Sequence, residues 1–567
     1  MKSVSTILFQ AIVLLLLVTV AQSVKAQGVL QQQVKISDGA LFFDGVRVPV
    51  SERLTYPDNE RYDYAFGPRI TPHGDCIKAY DDYVFLTWYK GGEANRQVML
   101  SRYNMETETL VTIEFPHQHT GFHNRPHIGE SHNTIAVGIC PLDSTVHLLY
   151  DMHAYSPNRP VDGSLSEDYF RYQFSVAGAA ALPDEEFTLD KFLPKRLFLK
   201  PGANYENLTY PSFFKNEDEE ILVRMREGGH NNSKYHFAKY NGTEWSGWSD
   251  FNVLNARNRG MEHNWGLYGD PKFLNGKLRI GFATRLSIND DRFSLNNGFH
   301  YAYSNDPSGA TNWFNYRDEP LPSPLVDYRP TKFAEPGDFV SATGANTVRI
   351  STGADWVVTK REDLHFTNRV ITDEERVYVH TYKAADEEEF TTSLDFPSGQ
   401  LYSEGNDVYM VNLENGYLTI YHTEGGTNDW TELYRGSGSD KRFRFGNVFI
   451  QNGKLHYFGM LISSGSSQPI WLQIIDLDTE VVSSVEEELA TERPSVFPNP
   501  TEGGLHINSK SWQAETFTVF SIAGQQLLSG NIPASGSLRL DDLPPGLVLL
   551  RLTNNKGEVF TSKVVVR

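Results

Sequence analysis

A chain of 567 residues with a formal net charge of −20 at pH 7 is too long for one ordinary domain. Its acidity excludes bulk attraction to nucleic acid or to an anionic membrane surface, while leaving room for a locally basic site that takes an anionic ligand. Two cysteines, Cys76 and Cys140, exclude a disulfide framework and a four-cysteine zinc site; one disulfide and two buried thiols are the alternatives. With 45 Gly, 28 Pro and 13% aromatic residues, and few long apolar stretches of helical period, the chain reads as all-β, built from short strands and turns.

Residues 1–26 read as a signal peptide, with Lys2 before an apolar run from Ile12 to Val20 and small residues ending at Ala26. The run is shorter than the roughly 18 to 20 residues that span a bilayer, and no later segment is apolar enough, so no membrane span is expected. Residues 27–480 form the body. Seven histidines, His117, His119, His123, His127, His132, His147 and His153, crowd its early part. No His-Glu-x-x-His spacing accompanies them, which argues for proton transfer rather than a metal centre, and His117, His119 and His147 read as structural.

His132 stands just before the apolar run Ile135–Val137, and His153 ends the run that begins at Val146. A hairpin turning at Asp143-Ser144 brings both histidines to one rim. The same reasoning sets Tyr210, ahead of one strand, beside Arg226 at the end of the next. Tyr268 precedes a third strand around Phe273. The segments Phe273–Ile280 and Ile450–Tyr457 share an Asn-Gly hairpin. Their separation of 177 positions fits four units of roughly 45 residues, the period of a four-stranded propeller blade, and about seven blades are expected once long loops are allowed for. In such a ring, equivalent strand ends meet around the axis, so His132, His153, Tyr210, Arg226 and Tyr268 are expected to line one groove. Trp88, Trp245, Trp248, Trp313, Trp356 and Trp430 read mostly as packing between blades.

An acidic linker, residues 481–493, precedes a last unit, residues 494–567, that opens on Pro498-Asn499-Pro500 and ends on Lys563-Val564-Val565-Val566. That unit resembles the type A sorting domain of the type IX secretion system of Bacteroidetes. The resemblance implies a small β-sandwich, the type IX machinery as a partner, and a destination at the cell surface or in the medium.

In the body, the ordered set His132, His153, Tyr210, Arg226 and Tyr268 resembles the ulvan lyases of polysaccharide lyase family 25, and more distantly family 24. The resemblance implies a seven-bladed β-propeller that cleaves an anionic sulfated polysaccharide, between sulfated rhamnose and uronic acid, leaving an unsaturated uronate at the non-reducing end. Such a lyase neutralises the uronate carboxylate, removes the C5 proton and protonates the departing oxygen at C4. Arg226 suits the first role, and His132 and Tyr210 the other two in either order. His153 supports that pair or serves as base for the other uronate epimer, and Tyr268 binds substrate or holds the site in shape. His123, Arg125 and Asn133 are weaker candidates for sulfate or sugar contacts. The chemistry requires no cofactor; His230 and His300 are candidates to help hold a structural zinc or calcium ion. A non-catalytic glycan-binding propeller and a sialidase-like glycoside hydrolase are the alternative functions. A sialidase is expected to show an arginine trio and Ser-x-Asp-x-Gly-x-x-Trp repeats, and those repeats are not evident here.

Overall fold

A computed structural model describes residues 27–153, 170–342, 344–350 and 354–477, and most of the stretch from 495 to 566. The expected signal peptide, the linker and the Pro498-Asn499-Pro500 opening lie outside the described residues. The chain forms two compact units, Met1–Glu480 and Val481–Arg567.

In the first unit the described residues form seven antiparallel sheets of three to five strands, each begun by or built on one inner strand. The inner strands are Ile77–Tyr80, Ile135–Cys140, Leu208–Lys215, Trp265–Leu274, Asp355–Val358, Gln400–Glu404 and Phe443–Gln451. Each touches the next, and the last returns to the first, so the sheets close a ring: a seven-bladed propeller. Strand Val29–Leu41 pairs antiparallel with Ser467–Asp476. The N-terminal strand therefore completes the last blade and leaves its edge covered. Because neighbouring blades cover both faces, strands such as Tyr83–Tyr89 and Ile135–Cys140 are apolar along their length and not alternating.

Both Asn-Gly turns join an inner strand to the second strand of its blade. Asn275 and Gly276 have φ of 52° and 69°, and Asn452 and Gly453 have 55° and 69°, the left-handed pair that a tight hairpin requires. They belong to the fourth and seventh blades. The 177 positions between them thus span three blades of about 59 residues, not four of about 45, because long loops separate the strands. Trp88, Trp245, Trp313 and Trp356 are buried, whereas Trp248 and Trp430 are half-buried. Trp356 of the fifth blade lies so close to the fourth that a Cβ on Gly281 would stand 2.5 Å from its ring. Cys76 and Cys140 are both free and buried, which settles the choice in favour of two thiols; burial pushes them up to about 12 and about 11.

The second unit has a four-stranded sheet with Ala514–Ser521 and Gly546–Asn554 at its centre, and a three-stranded sheet through Gly504–Asn508. Leu505, Ile507, Val519, Leu538, Leu550 and Val564 form its core. The terminal Lys563–Val566 run lies in the edge strand Val559–Val566. Among the described residues no helix is long and apolar enough to cross a membrane.

Candidate active site

A groove of about 860 Å³ opens where the second, third and fourth blades begin, and His132, His153, Tyr210, Arg226 and Tyr268 all line it. The histidines arrive by strand register. Ile135 pairs with Tyr150, so the residues just outside that pair meet at one rim, with imidazole centroids 4.5 Å apart. His132 Nδ1 stands 2.7 Å from Glu130 Oε1, which also accepts from the His132 backbone N–H at 2.9 Å. Glu130 is fully buried. A carboxylate can only accept here, so it fixes the proton on Nδ1 and leaves the Nε2 lone pair unspent. His153 Nδ1 is 2.5 Å from Thr209 Oγ1. Burial, then the electrostatic influence of His132, Arg226 and His123, holds its pKa well below the usual imidazole value, so it is neutral.

Tyr210 sits in a bulge between the pairs Thr209–Arg226 and Ser212–Arg224. Its φ of 54° is costly for a bulky aromatic residue and persists where the surroundings over-determine it, a mark of functional sites. The bulge turns its ring to the histidines, 5.6 Å from His132 and 5.0 Å from His153 by centroid. Arg226 lies with Cζ 4.6 Å from the Tyr210 ring and 5.0 Å from the Tyr268 ring. It is 4% exposed. Its Nε and Nη1 are buried without a hydrogen-bond partner, and it forms no ion pair among the described residues. Burial opposes the Arg226 charge, but Tyr210, Tyr268 and Tyr235 outweigh it and raise the pKa. Burial also raises the Tyr210 hydroxyl, against the pull of Arg226, and keeps it protonated.

The weaker candidates divide. His123 lines the groove, its ring tilted against that of Phe122 with centroids 4.2 Å apart. Arg125 belongs to the same loop, bridged to Phe122, but does not line the groove. Asn133 is 1% exposed and donates to Gly121 O at 3.2 Å; it braces that loop from inside and does not face a sugar. His117 bonds Asp151 at 2.7 Å, His119 bonds Glu130 O at 3.0 Å, and His147 bonds Thr145 and the Tyr172 hydroxyl, all structural arrangements.

Neither His230 nor His300, the metal candidates, belongs to a close group of three His, Cys, Asp or Glu donors among the described residues. His230 lines the groove, where burial and then the charges of Arg285 and Arg226 lower its pKa. His300 is buried flat against Phe282, with both ring nitrogens near threonine hydroxyls, Thr331 at 3.1 Å and Thr284 at 3.4 Å. Among the described residues, the one group of three such donors close enough to share an ion is Glu130, His132 and His153.

Three residues of the site escaped the sequence reading. Glu130 is one. Phe66, 37% exposed, stands with its ring edge-on to His132 at 4.8 Å and His153 at 6.1 Å, its other side covered by Arg53 at 4.6 Å. Arg285 lies 5.0 Å from the Tyr268 ring. Of these, only Glu130 carried a usable signal, an acid two positions before a histidine. Among the described residues no carboxylate lines the groove, although the chain carries 71 acidic residues against 51 basic ones. Such a pocket admits an anion, strips it of water against a buried guanidinium and offers proton acceptors and a donor beside it.

Residues 83–395 match the BNR repeat-containing family, and residues 495–567 match the secretion system C-terminal sorting domain. The chain is similar to the short isoform of ulvan lyase from Alteromonas sp. (strain LOR), 42% identical over 79% of this chain and 90% of the relative. It is also similar to the long isoforms from the same strain, at 44% identity over 96% of this chain, and from Glaciecola sp. (strain KUL10), at 45% over 80%. The chain spans about half the length of these long relatives, 55% and 47%. Among solved structures, the crystal structure of polysaccharide lyase Uly1 is similar with a TM-score of 0.76 and 42% identity, over 79% of this chain and all of that one.

Proposed function

We propose that this chain, which belongs to the ulvan lyase family, cleaves ulvan by β-elimination at the bond from sulfated rhamnose to uronic acid. The observation that carries the reading is Arg226, a buried cation whose Nε and Nη1 have no partner, set against a neutral His153, the Glu130-bound His132 and a protonated tyrosine. An unspent buried guanidinium is costly unless a ligand takes its hydrogen bonds, and a uronate carboxylate matches its planar fork. With the carboxylate neutralised there, the C5 proton becomes acidic enough for His132 Nε2 to remove. The C5–H electron pair forms the C4–C5 double bond, the C4–O bond breaks, and the departing oxygen takes the Tyr210 proton. Arg226, 4.6 Å from the Tyr210 ring, then stabilises the phenolate until the proton on His132 returns to it through solvent. His153 keeps His132 in place and stays neutral, so no second positive charge opposes proton uptake. Phe66 offers an exposed ring against which a sugar face packs.

Export completes the reading. The sorting domain at residues 495–567 directs the protein through the type IX machinery to the surface or medium, where a sulfated cell-wall polymer is met. The test is the ultraviolet absorbance of an unsaturated uronate during incubation with ulvan. Wild-type protein should produce it and Arg226→Lys, which keeps charge but loses the fork, should do so at least about 100-fold more slowly. Saturable ulvan binding without any absorbance rise would favour a glycan-binding propeller.

A further inference from the structure

Two guanidinium groups approach the Tyr268 ring. Arg226 Cζ is 5.0 Å from its centroid, and Arg285 Cζ is also 5.0 Å away, so the two charges are at most about 10 Å apart. Arg285 sits opposite Gly266 in the strand pair Trp265–Leu274 and Lys277–Leu286, and its Nε donates to Asn296 Oδ1 at 2.8 Å. Asn296 takes a left-handed φ of 51° to present that oxygen. One edge of the guanidinium is thereby anchored, while Arg285 and Asn296 both line the groove. Among the described residues Arg285 forms no ion pair, and no acidic residue lines the groove to neutralise it. His230, which feels the Arg285 charge, is held toward its neutral form.

If Arg226 is committed to the uronate carboxylate, a second anchored cation in contact with the same aromatic ring fits a second anion on the adjoining sugar. We infer that Arg285, held by Asn296, forms a sulfate-ester subsite next to the uronate subsite. This rests on the lyase reading above. Two terminal N–H groups in a rigid plane match two sulfate oxygens, and Tyr268, in contact with both cations, ties the two subsites to one ring.

The test compares ulvan with chemically desulfated ulvan, using the full chain, for wild type, Arg285→Gln and Arg285→Lys. Initial rates give KM and kcat, calorimetry gives binding to both polymers, and thermal melting confirms folding. Wild type should favour ulvan over the desulfated polymer by about tenfold or more in KM and in Kd, the scale of one charge-assisted fork. In Arg285→Gln that ratio should collapse toward one, and Arg285→Lys should recover part of it. A sulfate preference retained in a folded Arg285→Gln, or an equal loss on both polymers, would overturn the subsite. Failure of the lyase reading looks different: no absorbance rise in wild type on either polymer. Calorimetry still decides the subsite in that case, through the sulfate dependence of binding.

Discussion

Replacing Tyr210 by Phe removes one hydroxyl and nothing else that the fold uses. The ring that Arg226 covers at 4.6 Å remains, and so do the contacts to His132 and His153. Phenylalanine meets the same backbone cost at a φ of 54°, so the strain is unchanged between the two proteins. Stability should therefore shift by no more than about 0.5 kcal/mol, as for substitutions away from packing features. The rate should not be spared. The hydroxyl is the proton donor of the proposed step, and loss of a general acid costs on the order of 100-fold to 10,000-fold, about 3 to 5 kcal/mol of transition-state stabilisation. The assay is kcat on ulvan by unsaturated-uronate absorbance, with melting temperature recorded on the same preparation. Turnover within about threefold of wild type, or a loss that tracks a fall in melting temperature, would refute the role given to Tyr210.

Glu130→Gln should lower kcat by about 10- to 100-fold, the usual cost of losing a group that orients a working histidine, with KM little changed, because an amide in that place no longer dictates the His132 tautomer; an unaltered kcat would contradict it. Burial depresses His73, His147 and His365 to about 3 and His380 and His456 to about 4, all from 6.5. The unfolded chain then binds more protons than the folded one below pH 6.5. Stability should be level above that pH and fall steadily as pH drops toward 4, read as a decline in melting temperature; a flat profile from pH 7 to pH 5 would be the contrary result. A protein ending at residue 480 should fold and keep its activity on ulvan, since the two units are separately compact; insoluble or inactive product would show that the first unit depends on the second.

The sequence carried the parts of the site that strand pairing dictates. An apolar run flanked by His132, a turn, and a second run ending near His153 can pair in few ways, and the register puts the two rings together; Tyr210 and Arg226 follow from the same logic in the next blade. What it did not carry came from loops and from a strand end without a recognisable motif. Phe66 reaches the histidines from a segment with no periodic pattern, and Arg285 reaches Tyr268 because its strand, Lys277–Leu286, ends at the groove. Asn133 neighbours His132 and so suggests a sugar contact, but it lies in the turn ahead of the strand Ile135–Cys140 and its side chain is drawn inward to Gly121 O. The repeat length was misread because turns recur by place in the blade, not by a constant number of residues.

Products of wild-type protein acting on ulvan in water enriched in heavy oxygen, analysed by mass spectrometry, test the central claim most directly. Elimination predicts fragments whose new non-reducing end is a uronate one water lighter than the saturated sugar, with no heavy oxygen at the cleaved bond. Saturated ends carrying one heavy oxygen per cleavage would show hydrolysis and contradict the account.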